Sequence, residues 1–338
     1  MVSYFNLRTG YGNCVLLMSL LLLTLVSSGC GIKNMGQAVK YSITGEHFLT
    51  TEQYEKGIRR FKQEIIASPE SALANFYYGR FLLGEKQYKK ALPYLKKARD
   101  LNPKKVDYHF WVGVAYGTIG HKKSEKSSYE KALSIDKNHL QSLIYLGNNQ
   151  LQSKRYKASL NFYKRALEIW PGSPTALYNR ALILSKLGRK PEALEGWQEY
   201  LSYYPSGAMA RHAVDHLNDL RDYTFRNYTL LSRTVTIEKI LFIPFTEEID
   251  RASQKSLEFI GTVASNMHKG RLQIVVYQLK NKELAKKKAI AIKKFLIKKY
   301  PTLKKTDIGI SWFDVPETIR IANKSRKISD SVSFFISK

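Results

Sequence analysis

A constant spacing between small side chains limits most strongly what this chain can fold into. Gly45, Gly79, Gly113 and Gly147 stand at one unvarying interval, and Ala181 takes the next place. A fixed period of about 34 residues is typical of stacked helical hairpins, in which each unit buries its apolar side against its neighbours. The spacing therefore predicts an array of about five such hairpins.

Other columns keep the same period. Small residues recur at Gly57, Ala91, Ser159 and Ala193, and prolines recur further along each unit at Pro69, Pro103, Pro171 and Pro205. A small residue lets two helix axes approach where they cross. A proline ends a helix because it cannot donate the next backbone hydrogen bond. The recurring glycines are thus predicted to be packing residues, and the one-sided apolar segment 206–223 is predicted to be a helix that caps the array.

This small-large periodicity resembles the tetratricopeptide repeat over residues 38 to 205. The resemblance implies that the first helices line a groove that holds a peptide or a partner protein, and some of these residues could instead pack against the N-terminal segment or the last domain. By position in the repeat, the predicted groove residues are Phe76, Arg80, Asp107, Phe110, Gln141, Ile144, Asn148, Tyr178 and Leu182. Among them, Phe76, Phe110 and Tyr178 form a predicted aromatic row for an extended or helical segment.

The N-terminal sequence predicts export. An apolar run of about 12 residues, Val15 to Val26, is shorter than the roughly 20 residues that span a bilayer and matches a signal-peptide core. It ends in Ser27-Ser28-Gly29-Cys30, which resembles the lipobox of bacterial lipoproteins, although Ser27 stands where leucine is most usual. The resemblance implies a signal peptide over 1–29, a lipid on Cys30 and a linker over 30–37. In such lipoproteins the residue after the cysteine indicates the membrane, and Gly31 favours the outer membrane, with the protein facing the periplasm. An ordinary cleaved signal and an uncleaved anchor are the alternatives.

The C-terminal part changes to alternating strands and helices. We predict strands at 236–245, 272–278, 307–313 and 331–337, with helices at 251–268 and 282–300. This βαβαββ order, with the phrases Leu241–Phe245, Leu284–Ala289 and Val332–Ile336, resembles the OmpA-like peptidoglycan-associating domain over residues 233–338. The family's ligand residues are absent, because Tyr277–Lys280 replaces its aspartate segment and Lys288 replaces its arginine. We expect a retained scaffold without specific recognition of the wall peptide, since lysine lacks the bidentate geometry of arginine.

Basic residues are in large excess, with 55 Lys plus Arg against 28 Asp plus Glu and a formal net charge of +27. One interpretation of the lysine-rich segment 282–300 is a solvated helix face. The other is a basic face that docks on anionic wall polymer, lipid headgroups or an acidic protein. Nucleic acid is not expected as a partner, because the chain carries an export signal. The predicted basic face consists of Lys286, Lys287, Lys293, Lys294 and Lys298.

No catalytic constellation stands out in the sequence. Two cysteines, Cys14 and Cys30, cannot form a disulfide framework or a four-thiolate metal site. His212 and His216 lie four residues apart on a predicted helix, but no third metal ligand has a suitable spacing. We therefore expect neither an enzyme nor a metal or cofactor, apart from the lipid on Cys30.

Together these patterns predict an α-solenoid of tetratricopeptide hairpins over residues 38–225, followed by a small OmpA-like α/β domain. The expected role is an outer-membrane lipoprotein that serves as an interaction scaffold or assembly factor in an envelope machine of the pilus or secretion type. One alternative is a peptidoglycan tether that acts through the last domain. Another, of a different class, is an unrecognised enzyme or an enzyme accessory subunit.

Overall fold

The computed structural model describes residues 29–230, 233–267, 269–321 and 324–337, and it describes side chains from residue 36 onward except those of Arg233 and Lys324. Residues 1–28 of the predicted signal peptide and the Cys30 side chain lie outside this part, so lipidation stays a prediction. The chain divides into two compact units between Ser128 and Tyr129. Each unit is described by itself below.

Eleven helices run from Gly29 to Asp219 within the described residues, as the repeat spacing predicts. Their bounds are α1 Gly29–Thr50, α2 Tyr54–Ala67, α3 Ala72–Gly84, α4 Tyr88–Leu101, α5 Val106–Thr118, α6 Lys122–Ile135, α7 Leu140–Gln152, α8 Tyr156–Ile169, α9 Pro174–Lys186, α10 Lys190–Tyr203 and α11 Ala208–Asp219.

The recurring glycines are packing residues, as predicted. A Cβ atom added at Gly79 in α3 would lie 2.6 Å from Leu95 in α4, and one added at Gly147 in α7 would lie 2.7 Å from Tyr163 in α8. Both distances are far below van der Waals contact, so any larger side chain would push the two helices of a hairpin apart.

The turns inside the hairpins share a left-handed residue that the sequence analysis missed. Glu52, Lys86, Gly120, Lys154 and Gly188 all have positive φ, between 54° and 81°, and they follow one another at the same interval as the packing glycines. Glycine adopts this backbone conformation without strain, whereas side chains with a Cβ do not. Three of the five turns therefore carry a strained residue.

Helix α11 caps the array as predicted. Ala210, Ala213, Val214 and Leu217 are buried in one cluster with Trp197 of α10. The opposite side of α11 is not simply solvated, because the amide of Asn227 donates to the Arg211 carbonyl at 3.1 Å and to Asp215 at 3.2 Å.

The small C-terminal region is mixed α/β, which confirms the predicted fold class. Its central sheet has the order β4-β3-β7, with β4 parallel and β7 antiparallel to β3. Two separate hairpins, β1–β2 and β5–β6, accompany it. The bounds are β1 Phe225–Leu230, β2 Arg233–Glu238, α12 Gln254–Ser265, β3 Arg271–Gln278, α13 Lys282–Lys299, β4 Ile308–Phe313, β5 Glu317–Ile321, β6 Lys324–Ile328 and β7 Asp330–Ser337.

The prediction for the first strand, 236–245, was wrong in extent. The strand ends at Glu238, and the backbone N–H of Ile243 donates to Glu248 at 2.8 Å to close a turn. Pro244 cannot donate to a ladder, and Phe245 has a φ of 66°, so an extended strand cannot continue here. The two hairpins, with β1, β5 and β6, were not predicted.

Strand β1 joins the cap to the α/β region. Phe225 packs in the cluster of α10 and α11, whereas Tyr228 packs in the core that Leu272, Ile274 and Val276 of β3 form with α12 and α13. The Tyr228 hydroxyl donates to the Val332 carbonyl of β7 at 2.9 Å. The predicted domain boundary, between residues 225 and 233, therefore falls on a strand that is packed against both neighbours.

A buried ion pair holds β1 against the strands of the α/β region. Arg226 donates from both terminal nitrogens to Glu317, at 2.6 and 2.9 Å, and the hydroxyls of Ser331 and Ser333 donate to the same carboxylate. Burial by itself would raise the pKa of Glu317, but Arg226 and the two serines outweigh it and lower that pKa. The carboxylate stays ionised and ties β1, β5 and β7 together.

Candidate functional site: the first-helix face of the repeats

In the first unit, Arg80 is the centre of the predicted groove. Its guanidinium lies 4.1 Å from the ring centroid of Trp111 and 5.5 Å from that of Phe76. Its Nη1 pairs with Glu46 Oε1 at 3.3 Å. The helices α1, α3 and α5 supply these side chains, so the site is built by three consecutive first helices.

The Arg80 side chain is only 18% exposed, and its buried Nε has no hydrogen-bond partner among the residues that the structure describes. Burial lowers the pKa of Arg80, while the negative charge of Glu46 opposes that shift. The guanidinium nevertheless remains cationic, because arginine is not deprotonated in proteins. The guanidinium is therefore a fixed positive charge at this face, which suits a carboxylate or a backbone oxygen.

Two members of the predicted aromatic row are buried, which corrects that prediction. Phe76 is 6% exposed, with its ring centroid 4.8 Å from Tyr108, and Phe110 is 5% exposed against Trp111. Phe76 lies between α3 and α5 instead of facing outward, because these two first helices pack side by side. Both rings support the face and do not contact solvent.

Asp107 remains accessible at the same face, and its carboxylate lies 3.3 Å from the Lys105 ammonium. The sequence analysis missed Glu46, Tyr77 and Trp111. Glu46 could have been found, because it precedes Arg80 by one repeat period. Tyr77 could not, since its hydroxyl reaches Glu46 Oε1 at 3.0 Å only after the helices pack.

In the second unit, the amide of Asn148 takes part in a closed polar triangle. Its Oδ1 accepts from the Tyr163 hydroxyl at 2.6 Å and from the Asn179 amide at 3.1 Å. The Asn179 amide also donates to the Tyr163 oxygen at 3.0 Å. Asn148 is thus held in one orientation by α8 and α9, as a recognition residue would need to be.

The other predicted groove residues of this unit differ in exposure. Ile144 is buried, which corrects its assignment to the open face, and Gln141 and Leu182 are half-buried. Tyr178 is half-buried between Trp197 and Tyr200, at ring-centroid distances of 5.0 and 5.4 Å, and burial raises its pKa. The accessible part of this face is therefore mainly polar, with an aromatic edge at Tyr178.

The predicted basic face of α13 is divided between two sides. Lys287, Lys294 and Lys298 are exposed opposite the buried face of the helix. Lys293 does not belong with them, because its ammonium donates to the carbonyls of Lys305 and Ile308, at 2.8 and 2.6 Å. Lys286 is exposed on that same flank, 5.8 Å from the Trp312 ring.

Lys288, which stands where the OmpA-like pattern has arginine, is engaged within the chain. Its ammonium donates to Gln278 Oε1 at 2.5 Å and lies 4.7 Å from the Phe242 ring. The Gln278 amide in turn donates to Asp330 at 2.7 Å. Lys288, Gln278 and Asp330 therefore form one hydrogen-bonded chain within the α/β region.

His216 lies in a packed environment at the cap. His216 stacks on Trp197 with ring centroids 4.6 Å apart, and burial lowers its pKa. Across the described residues, no group of three His, Cys, Asp or Glu side chains could hold a metal ion. Within that same part of the chain, no helix combines the length and apolarity needed to cross a membrane.

Comparison with known proteins confirms the repeats. The tetratricopeptide-repeat family matches residues 44–106 and 144–208, and a second form of the repeat matches residues 106–139. The chain therefore carries tetratricopeptide repeats, a scaffold suited to protein–protein interaction. These matches leave the α/β region outside.

Solved structures show similar folds at low identity. PilF of Pseudomonas aeruginosa superposes with a TM-score of 0.50 at 15% identity, over 54% of this chain and 84% of PilF. YrrB, described as having an unusual peptide-binding site, gives a TM-score of 0.44 at 17% identity, over 54% of this chain and 95% of YrrB. MamA gives 0.44 at 19% identity, over 47% of this chain and 93% of MamA. The similarity to PilF shows a shared fold only.

Proposed function

We propose that this protein is an interaction scaffold or assembly factor that holds a partner protein on the first-helix face of its repeats, within a cell-envelope machine of the pilus or secretion type. The observation that carries the proposal is the arrangement of Arg80, whose guanidinium is stacked on Trp111 and paired with Glu46 at the first-helix face. A positioned guanidinium beside an aromatic ring is a common anchor in protein interfaces.

The polar triangle around Asn148 supports the same role in the second unit. An amide that is already oriented by two hydrogen bonds loses little entropy when it binds a peptide backbone. An extended or helical segment with carboxylate and backbone oxygens is the ligand that both places would suit.

Site-specific photocrosslinking in cells tests this proposal. A photoreactive amino acid is placed at Asp107 or Gln141, on first helices, and at Lys89 or Lys164, which are exposed on second helices. We expect one discrete adduct from the first pair and none from the second. Equal adducts from all four positions, or none from any, would contradict a partner on this face.

We also propose that Cys30 is acylated and anchors the protein in the outer membrane, facing the periplasm. The support is the sequence pattern that ends at Cys30, and two or more acyl chains would make the anchor stable. Labelling of cells with radioactive palmitate tests it, with Cys30→Ser as the control. We expect label in the unchanged protein and none in the variant, together with loss of the variant from the outer-membrane fraction.

The OmpA-like scaffold is proposed to have lost wall-peptide recognition, because Lys288 is already bonded to Gln278 where the family has its arginine. Co-sedimentation with purified sacculi distinguishes this from the tethering alternative. We expect sedimentation that 300 mM salt abolishes. Sedimentation that resists salt and is lost in Lys288→Ala would favour a tether.

A further inference from the structure

Strand β4 is an outer strand of the central sheet, and β3 is its only ladder partner among the described strands. The six residues of β4 include neither a charged side chain nor a proline. Its register with β3 runs without a bulge from Ile308 to Phe313. Outer strands are usually protected by charges, prolines or bulges, because unpaired backbone groups recruit another strand. This edge has none of these within the strand.

The surroundings of the edge are cationic. Lys286 and Lys293 reach β4 from the flank of α13, and Lys304 and Lys305 are exposed just before the strand begins. Burial lowers the pKa of Lys293, and the charges of Arg271 and Lys305 lower it further. Residues 269–305 contain 13 Lys plus Arg against one glutamate. The acidic residues that flank β4 in the sequence are Asp307, whose carboxylate accepts from the Lys304 amide, and the exposed Asp314.

Apolar side chains lie at the far end of the strand. Phe313 is 43% exposed and stacks on Tyr277 with ring centroids 5.4 Å apart, and Val315 is 53% exposed. Trp312 is half-buried on the other face, beside Lys286. An added strand would therefore meet apolar surface at one end and ammonium groups along one side, which favours alternating apolar and acidic side chains.

We propose that the β4 edge binds an extended acidic segment of a partner protein by strand addition. Backbone hydrogen bonds to β4 would hold the segment, and its carboxylates would pair with Lys286 and Lys305. A second copy of this chain is a poor occupant, because it would bring the same lysines against themselves. This surface is separate from the first-helix face and does not depend on the function proposed for it.

The test uses the full chain and a labelled ten-residue probe of alternating valine and glutamate with blocked ends. We expect saturable binding by fluorescence anisotropy in 50 mM salt that weakens at least tenfold in 300 mM salt. Amide hydrogen exchange of residues 308–313 should slow when the probe binds. A probe of the same charge with proline in place of alternate valines should bind at least tenfold more weakly, since it cannot complete a ladder.

Charge-matched variants locate the site. We expect Lys286→Glu with Lys305→Glu to weaken probe binding at least tenfold, and Lys294→Glu with Lys298→Glu, on the outward side of α13, to change it less than twofold. Circular dichroism and thermal unfolding check that both variants fold. Equal loss in both, unchanged exchange in β4 on binding, or no binding at all would each overturn the proposal.

Discussion

Glu46 and Arg80 occupy the same position in consecutive repeats, and their side chains pair at 3.3 Å. The same repeat position thus carries an acidic side chain in α1 and a basic side chain in α3, and their ion pair links these two helices on the first-helix face. Trp111 of the third repeat completes the arrangement from the other side. The face of the first unit is therefore specified by charge and not by the aromatic row alone.

Removal of the Arg80 side chain should lower the free energy of unfolding more than removal of the Glu46 side chain. Arg80→Ala is expected to lower the free energy of unfolding by about 1 to 3 kcal/mol, because it removes the stack on Trp111 and the packing of a mostly buried side chain. Glu46→Ala should cost about 0.5 to 1 kcal/mol, since its carboxylate is half exposed. Urea denaturation measures both.

The matched control is Arg59→Ala, which breaks an ion pair with Glu55 that is exposed on both sides. We expect a change within about 0.5 kcal/mol. If Arg80→Ala were as mild as this control, the packing role of the guanidinium would be wrong.

At the left-handed turn positions, substitution by glycine should raise the stability of the fold, and substitution of a glycine by alanine should lower it. Lys154→Gly is expected to stabilise the fold by about 0.5 to 1 kcal/mol, because it relieves a φ of 56°. Gly188→Ala should destabilise it by about 1 kcal/mol, although no atom lies within 4 Å of the added Cβ, so the cost is that of the backbone alone. Thermal unfolding of the two variants measures the difference.

Lys164→Gly serves as the control for the first change, because it places glycine at an exposed position in the middle of α8 instead of in the turn. There we expect a loss of about 1 kcal/mol. Destabilisation by both lysine-to-glycine changes would show that the turn is not strained.

The Glu317 carboxylate should give the α/β region an acid-dependent stability. The pKa of Glu317 is lowered in the folded chain, so its contribution to the free energy of unfolding is complete above about pH 4.3, the usual pKa of a glutamate. That contribution is lost as pH falls from there through the lowered pKa. Denaturation in urea between pH 7 and pH 3 should show this decline.

Glu317→Gln should cost about 3 kcal/mol at pH 7, because it leaves the Arg226 charge buried without its partner. It should also flatten the decline below about pH 4.3. Glu283→Gln, at an exposed glutamate at the start of α13, is the control and should alter stability by less than about 0.5 kcal/mol. A decline of unchanged size in Glu317→Gln would assign the acid sensitivity to other groups.

The cap should weaken in mild acid through His216. Burial lowers the pKa of His216, and it outweighs the opposing charges of Asp219 and Asp215, while His212 and Lys186 lower it further. The unfolded chain takes up this proton near pH 6.5, the usual histidine pKa, whereas the folded chain takes it up only at lower pH. The protein therefore loses stability as the pH falls from about 6.5 through the lowered pKa of His216.

The free energy of unfolding should therefore fall as the pH is lowered from about 7 through the lowered pKa, and His216→Phe should remove that part of the fall while keeping a ring stacked on Trp197. His121→Phe is the control, because it makes the same substitution at a histidine of the first unit whose ring stacks on Tyr116. A fall that persists unchanged in His216→Phe would contradict the assignment.

Much of the architecture could be predicted because it follows from local regularity. The constant repeat interval predicts the helical hairpins, since the small residues at Gly79 and Gly147 mark where the two helices of a hairpin approach closely. The apolar side of residues 206–223 likewise predicted the cap. In the α/β region, strands β3, β4 and β7 and both helices were predicted from their apolar patterns, whereas the polar hairpins β1–β2 and β5–β6 were not.

What the sequence determined by itself is thus the repeat, its packing residues and the concentration of positive charge near the C-terminus. Only the tertiary structure decided which side chains are accessible. Phe76 is buried because Tyr108 of the next repeat packs against it, and Lys293 is bonded to the start of β4 because α13 packs on that strand. Burial and pairing depend on neighbours distant in the chain, and the period of the sequence contains no information about the distances between them.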